Sequence, residues 1–180
     1  ENLLFDLEQP EYSYMIGFMQ ADGHLAADSR NRGRLSIELS KVDKSLLEKF
    51  QNLIPVNSTL GERQRNTNFK EQHRSVFLKV YSKDFRDTIN YFGVPYGKKS
   101  TIIAPPSMKH SPIDYWRGII DADGSVGFTA KKFPFISLVT ASENLKEAYC
   151  NFVYDVVGYK PNVNKNKRDN VYNIIITREY

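Results

Sequence analysis

Two aspartates, Asp22 and Asp123, are the residues of this chain best placed to do chemistry. Each closes the same pattern: YMIGFMQADG from Tyr14 and YWRGIIDADG from Tyr115 share Tyr-x-x-Gly-x-x-x-Ala-Asp-Gly. Gly17 and Ala21, like Gly118 and Ala122, are four residues apart, so each pair lies on one helix face where two backbones can approach closely. Two such helices packed side by side in the same direction would bring Asp22 and Asp123 together at adjacent C-termini. Each helix end already carries about half a negative charge, so the arrangement requires something cationic. Two carboxylates plus free helix-end carbonyls are hard oxygen ligands of the kind that suits Mg²⁺. The plainer alternative is that Asp-Gly only makes a turn after each helix, and the matched offsets of two copies weigh against it.

The elements that must position these groups also repeat. A helix from Pro10 to Asp22 is followed by two strands, the second of which, RLSIELS from Arg34, alternates apolar and polar residues. Asp43 is expected to cap a helix carrying Leu46, Leu47, Phe50, Leu53 and Ile54. Strands near 58–65 and 74–81 follow, then a short helix capped by Ser82 and bearing Phe85, Ile89 and Phe92. After GVPYGKKSTIIAPPSMKH the order begins again. Ser111, Pro112 and Asp114 supply an N-cap, an N1 proline and an N3 carboxylate. Strands near 125–131 and 135–140, a helix from Ser142, and strands near 160–166 and 171–177 complete the second copy. The expected organisation is a first repeat over 1–97, a linker over 98–111 and a second repeat over 112–180. The second repeat stops at ITREY, where the first opens its last helix with YSKDF. A natural protein extending past Tyr180 by at least a short helix is therefore expected, and a chain without an initiator Met fits a processed product or an excised fragment.

Composition narrows the function classes. The chain has 180 residues, 41% of them hydrophobic and 13% aromatic, enough for a buried core. Twenty-five basic against 21 acidic residues leave a net charge of +4, which leans toward a polyanionic partner. No apolar run approaches the roughly 18 residues of a membrane span, and ENLLFDLEQP has no signal-peptide pattern. A soluble, intracellular protein is expected, with the compartment open. The single Cys150 forbids an internal disulfide and is expected to pack on a helix. His24, His73 and His110 are scattered, and solvated loop positions account for them better than a catalytic triad.

MIGFMQADG (Met15 to Gly23) and WRGIIDADG (Trp116 to Gly124) resemble the two nine-residue motifs of a single-chain LAGLIDADG homing endonuclease. The resemblance covers nearly the whole chain. It implies an α+β fold of two pseudo-symmetric αββαββα repeats: a saddle of two four-stranded antiparallel sheets, with the motif helices packed at its centre and the sheets in the major groove of double-stranded DNA. It assigns the metal-binding acidic positions to Asp22 and Asp123, and metal-binding backbone carbonyls to Ala21 and Ala122. The sixth letter, Gln20 in one motif and Asp121 in the other, varies in the family. A basic residue near the site maps best onto Lys99, with Lys98 a rival. A second polar position maps onto Lys41, whose counterpart is about Ala141. The implied reaction is Mg²⁺-dependent hydrolysis of a phosphodiester on each strand, with Mn²⁺ as a substitute and Ca²⁺ supporting binding without cleavage, and it needs no protein nucleophile.

The polar strand faces are the candidates for DNA contact: Arg34, Ser36 and Glu38; Arg63, Arg65 and Lys79; Thr129, Lys131 and Ser137; Asn164, Asn166 and Asn173. A one-residue slip in the final hairpin would offer Lys165, Lys167 and Arg168 instead. Two sheets of eight-residue strands end to end span about 50 Å, on the order of 15 base pairs. Because the halves differ at these positions, the target is expected to be non-palindromic and the protein a monomer. The competing readings are an RNA-splicing maturase or a non-cleaving DNA-binding regulator on the same fold, and an intein's nuclease domain.

Overall fold

The computed structural model describes residues 3–26, 32–65 and 73–177. Helix α1 (Pro10–Asp22) leads to strands β1 (His24–Ala26) and β2 (Arg34–Ser40), helix α2 (Lys44–Leu53), strands β3 (Ser58–Arg65) and β4 (His73–Val80), and helix α3 (Lys83–Tyr91). Past a linker come α4 (Pro112–Asp123), β5 (Gly124–Phe128), β6 (Pro134–Thr140), α5 (Glu143–Val157), β7 (Asn162–Asn166) and β8 (Val171–Thr177). The strands form two four-stranded antiparallel sheets with the same connectivity, β1-β2-β4-β3 and β5-β6-β8-β7. This is the saddle that the resemblance implies. The expected segment past Tyr180 lies outside the described residues, as does the loop around 66–72.

Burial explains why α1 and α4 take the centre. Residues Met15 to Gln20 of α1 are all buried, so this helix has no wet face and can stand only inside the molecule. Met15, Ile16, Phe18 and Met19 join Leu25, Leu35, Ile37, Val76, Leu78, Phe85, Ile89 and Phe92 in the core of the first half. Trp116 and Ile119 of α4 join Leu138, Ile174, Leu145, Tyr149 and Val153 in the second. Cys150 packs beside that second core. The N-terminal segment belongs to the first: Phe5 stacks on Tyr12 at 4.5 Å, and the Leu7 carbonyl accepts from Ser13 Oγ at 2.6 Å.

Several local expectations are corrected. Asp43 makes no side-chain cap to α2; a 3₁₀ turn, Lys41–Asp43, precedes that helix instead. Ser111 stands at the N-cap of α4 with Pro112 next to it, as expected, but its hydroxyl donates to Asp114 Oδ2 (2.7 Å) instead of accepting from a helix amide, whereas the Ser82 and Ser142 side chains do so for α3 and α5. Strand β5 ends at Phe128 because Thr129 closes a tight turn, accepting from the Phe133 amide at 3.1 Å, with Lys132 in left-handed backbone at φ 63°. Thr129 and Lys131 are therefore turn residues, not strand residues. His24 and His73 belong to strands rather than loops.

Candidate active site and sheet faces

The shared glycines mark the crossing of α1 and α4. A side chain at Gly17 would collide with the Tyr115 carbonyl, and one at Gly118 with the Tyr14 carbonyl and the Phe18 amide, the latter at 2.8 Å. The contact is reciprocal, Gly17 against Tyr115 and Gly118 against Tyr14. Gly23 and Gly124, which end the helices, have extended backbone at φ −72° and −92°, so conformation does not demand glycine there. Space does: a Cβ would stand 2.6 Å from the Met19 carbonyl oxygen at Gly23 and 2.7 Å from that of Ile120 at Gly124.

This crossing delivers Asp22 and Asp123, the last residues of their helices, to one place. Burial lifts both carboxylates above their ordinary range, and the charge of Asp123 lifts Asp22 further. Lys99 acts against this, pulling both down. Its ammonium donates to the carbonyl of Ala21 (2.6 Å), left over at the end of α1, and to that of Met19 (3.1 Å), which also accepts from the Gly23 amide at 2.9 Å. Desolvation lowers the Lys99 pKa to about 8 even though both aspartates pull it the other way. Lys98 next to it is exposed. Among the described residues, no side chain does for the Ala122 carbonyl what Lys99 does for that of Ala21. The cationic position implied by two helix ends is thus partly filled by the chain itself, from one side only.

Around the site the shared tyrosines, which the motif contained but the sequence did not interpret, make a second reciprocal contact. Tyr115 Oη donates to Gln20 Oε1 at 2.6 Å, and Tyr14 Oη donates to Asp121 Oδ2 at 2.8 Å. Each tyrosine thus reaches the sixth motif letter of the other helix. The environments differ. Gln20 is fully buried, and its Nε2 donates to the carbonyls of Gly93 (2.8 Å) and Ala104 (2.9 Å) at either end of the segment carrying Lys99. A carboxylate there would face two carbonyl oxygens, so the amide is the group that fits. Asp121 is exposed at the rim of an open cavity of about 660 Å³ floored by Tyr14, Leu46, Phe50 and Leu53.

Lys41 stands apart from this cluster. Its ammonium pairs with Glu62 Oε2 at 2.7 Å, and Lys44 shares the same carboxylate at 3.2 Å. The charges acting on Asp22 are those of Asp123 and Lys99. Among the described residues, three or more His, Cys, Asp or Glu side chains nowhere gather as a metal cluster. The oxygen set at the helix ends is two carboxylates and main-chain carbonyls, with Lys99 the cation that acts on both acids.

Strand register settles which residues share the outer sheet faces. Leu35 and Ile37 are buried, so Arg34, Ser36 and Glu38 point outward, with Lys79 opposite Ser36 and Arg63 opposite Ser75. The side chain of Arg65 lies outside the described residues. In the second sheet, Leu138 and Ile174 are buried, which turns Ser137 and Asn173 outward, with Asn164 paired to Asn173 and Asn166 to Val171. Lys165 lies on the opposite face, its Nζ donating to Tyr172 Oη at 3.2 Å. Lys167 and Arg168 are in the turn between β7 and β8. Two outward aromatics were missed by the sequence reading: Phe77 lies over Gly61 and Phe135 over Gly127, where a Cβ would come within 2.5 and 3.1 Å of the rings. The signal was a glycine facing a phenylalanine across two strands, which shows only once register is known.

The LAGLIDADG-like domain profile matches residues 10–91 and 112–180. No curated protein matches the chain. Among solved structures, the homing endonuclease I-WcaI bound to its DNA recognition sequence is 16% identical, with 96% of this chain and 77% of that one covered and a TM-score of 0.62. The LAGLIDADG homing endonuclease I-GzeII in complex with its DNA target is 15% identical over 94% of this chain and 78% of that one, with a TM-score of 0.55. The N-terminal LAGLIDADG domain of DUF199/WhiA is 16% identical over 98% and 79%, with a TM-score of 0.56. At these identities the likeness concerns the fold, while the profile match spans both repeats and both Ala-Asp-Gly motifs. The chain belongs to the LAGLIDADG-like domain family.

Proposed function

We propose that this protein is a site-specific DNA endonuclease that cuts both strands of a long, non-palindromic duplex by Mg²⁺-dependent phosphodiester hydrolysis, as in intron or intein homing. The observation that carries the reading is the convergence of Asp22 and Asp123 at abutting helix C-termini, two carboxylates beside the one ammonium of Lys99. The residues fit a hard divalent cation: Asp22, Asp123 and the carbonyls of Ala21 and Ala122 would hold it. A metal bound there supplies positive charge to the phosphodiester oxygens and lowers the pKa of water. The chain's own part is positional and electrostatic. The sheets hold the duplex, the helix pair presents the two carboxylates to both strands, and Lys99 sets the charge of one site. Mn²⁺ is expected to substitute, and Ca²⁺ to support binding without cleavage.

Supporting this reading, I-WcaI and I-GzeII are seen with DNA on the same fold. Among the described residues no helix is long and apolar enough to cross a membrane. A second reading, nucleic-acid binding without cleavage as in a regulator or maturase, draws on the likeness to WhiA, which is not named as an endonuclease. Incubating the chain with a library of randomised duplexes in Mg²⁺ and sequencing the ends separates the two. Discrete double-strand breaks at one related set of sequences are expected. Retained, uncut duplexes would favour the second reading.

A further inference from the structure

The outer faces of the two sheets differ in kind. At the centre of the first, Glu38 accepts from Ser75 Oγ (2.6 Å) and pairs with Arg63 Nη1 (3.5 Å). Arg63 and Lys79 flank the Phe77 ring at 5.3 and 4.3 Å. On the corresponding face of the second sheet, β7 and β8 offer Asn164 and Asn173, while Phe135, Val139 and Ile175 supply apolar groups; Asn166 is spent on the turn after β7, its Nδ2 donating to Asp169 Oδ2 (2.8 Å) and its Oδ1 accepting from the amides of Arg168 (3.0 Å) and Asp169 (3.3 Å). Asn173 Oδ1 is buried and, among the described residues, has no hydrogen-bond partner. No Asp, Glu, Lys or Arg lies on that face of β5 to β8. Of the cations of these hairpins, Lys165 lies on the opposite face, and Lys131, Lys132, Lys167 and Arg168 sit in the two turns at opposite ends of the sheet.

Base edges in the major groove sort these chemistries. Guanine shows two acceptors, which a guanidinium fork matches. Adenine shows one acceptor beside one donor, which a carboxamide matches, and thymine shows a methyl group that favours apolar contact. A neutral face also releases few counterions, so what it gains must come from base edges, with phosphates left to the charged turns.

We propose that the two half-sites differ in composition: the second sheet reads an A·T-rich half through Asn164, Asn173, Phe135, Val139 and Ile175, and the first reads a half containing G·C pairs through Arg34, Arg63 and Lys79. This rests on the DNA-binding reading above and specifies its target. The test is selection of bound duplexes from a fully randomised library by the whole chain in Ca²⁺, repeated with Asn164→Arg and Arg63→Ala. The expected result is an A·T-rich tract on one side only. Asn164→Arg should convert one position of that tract to G·C, and Arg63→Ala should relax a position on the other side. Asn164→Ala should weaken binding about tenfold while leaving the salt dependence of affinity unchanged, because no phosphate contact is lost. Equal composition on the two sides, or a reduced salt slope in Asn164→Ala, overturns the inference with DNA binding intact. If no duplex is enriched at all, the DNA-binding reading itself fails.

Discussion

Leu25 and Leu35 of the first sheet and Val126 and Ile136 of the second occupy the same register, each pair joined across the first two strands of its repeat. The first pair is fully buried, whereas Val126 is 69% and Ile136 38% exposed. In the first half, α3 and the N-terminal segment join the core that encloses Leu25 and Leu35; among the described residues nothing equivalent lies over Val126. The halves diverge likewise at Gln20 and Asp121, and in having Lys99 at one helix end only. They remain alike where Gly17 and Gly118 let backbones touch. Backbone contact leaves no latitude, so two-fold symmetry is kept there, while side-chain environments have been free to separate.

The largest expected effect tests whether the two sites are separate at all. Asp22→Asn or Asp123→Asn should abolish double-strand cleavage, leaving at most a nick, while binding in Ca²⁺ survives; full double-strand cutting by either variant on a gel would remove the metal assignment. The same substitutions should raise the melting temperature in EDTA. Both carboxyls titrate above 3.8, so the folded chain holds protons that the unfolded chain has shed as pH climbs from there. Stability therefore falls across that window, and at neutral pH the ionised pair is a cost that Asn relieves.

Lys99→Met should slow one strand more than the other, by about 100-fold if its charge serves one site as an electrostatic stabiliser. Equal slowing, measured with each strand end-labelled, would mean that it serves both. The variant should also change stability in alkali. With Lys99 at about 8 when folded and 10.5 when unfolded, the unfolded chain carries the extra proton between those values. Wild-type stability should gain with pH across that window, and Lys99→Met should lose the gain.

Gly17→Leu and Gly118→Leu should each cost about 1–3 kcal/mol or more through overpacking, and in similar measure if the crossing is as reciprocal as its contacts. The sixth letters should not match. Gln20→Glu places a charge against two carbonyls in a buried site, at about 1–3 kcal/mol or more, while Asp121→Asn, exposed, should stay within about 0.5 kcal/mol. Chemical denaturation of all four variants measures both contrasts.

The repeat, most of the strands and the convergence of Asp22 with Asp123 were legible because they rest on local periodicity and on five letters at fixed offsets, while the arrangement of the strands into two sheets came with the family resemblance. The tyrosines were visible in the motif, but their contacts cross between helices, so spacing within one helix could not reveal them. Strand β5 was read too long because Thr129 and Lys131 continue an apparent alternation that the Lys132 turn interrupts. Lys41 was placed by analogy of position, and its pairing with Glu62 comes from a strand distant in sequence. Phe77 and Phe135 needed cross-strand register, a property of two strands at once.

The segment after α3 is more than a tether. Gly97 donates its amide to the Leu25 carbonyl at 2.9 Å, Lys99 caps α1, Gln20 grips Ala104, and Ile103 sinks into the second core, where its carbonyl accepts from Ser142 Oγ at 2.6 Å. For anyone recombining halves between related proteins, this stretch belongs to neither parent alone. A hybrid joined just before residue 97 would import a foreign cap for α1, and one joined just after residue 104 would press a foreign core around Ile103. The exchangeable unit that leaves both sets of contacts intact is the second repeat together with this stretch and the residues of α1 that it grips.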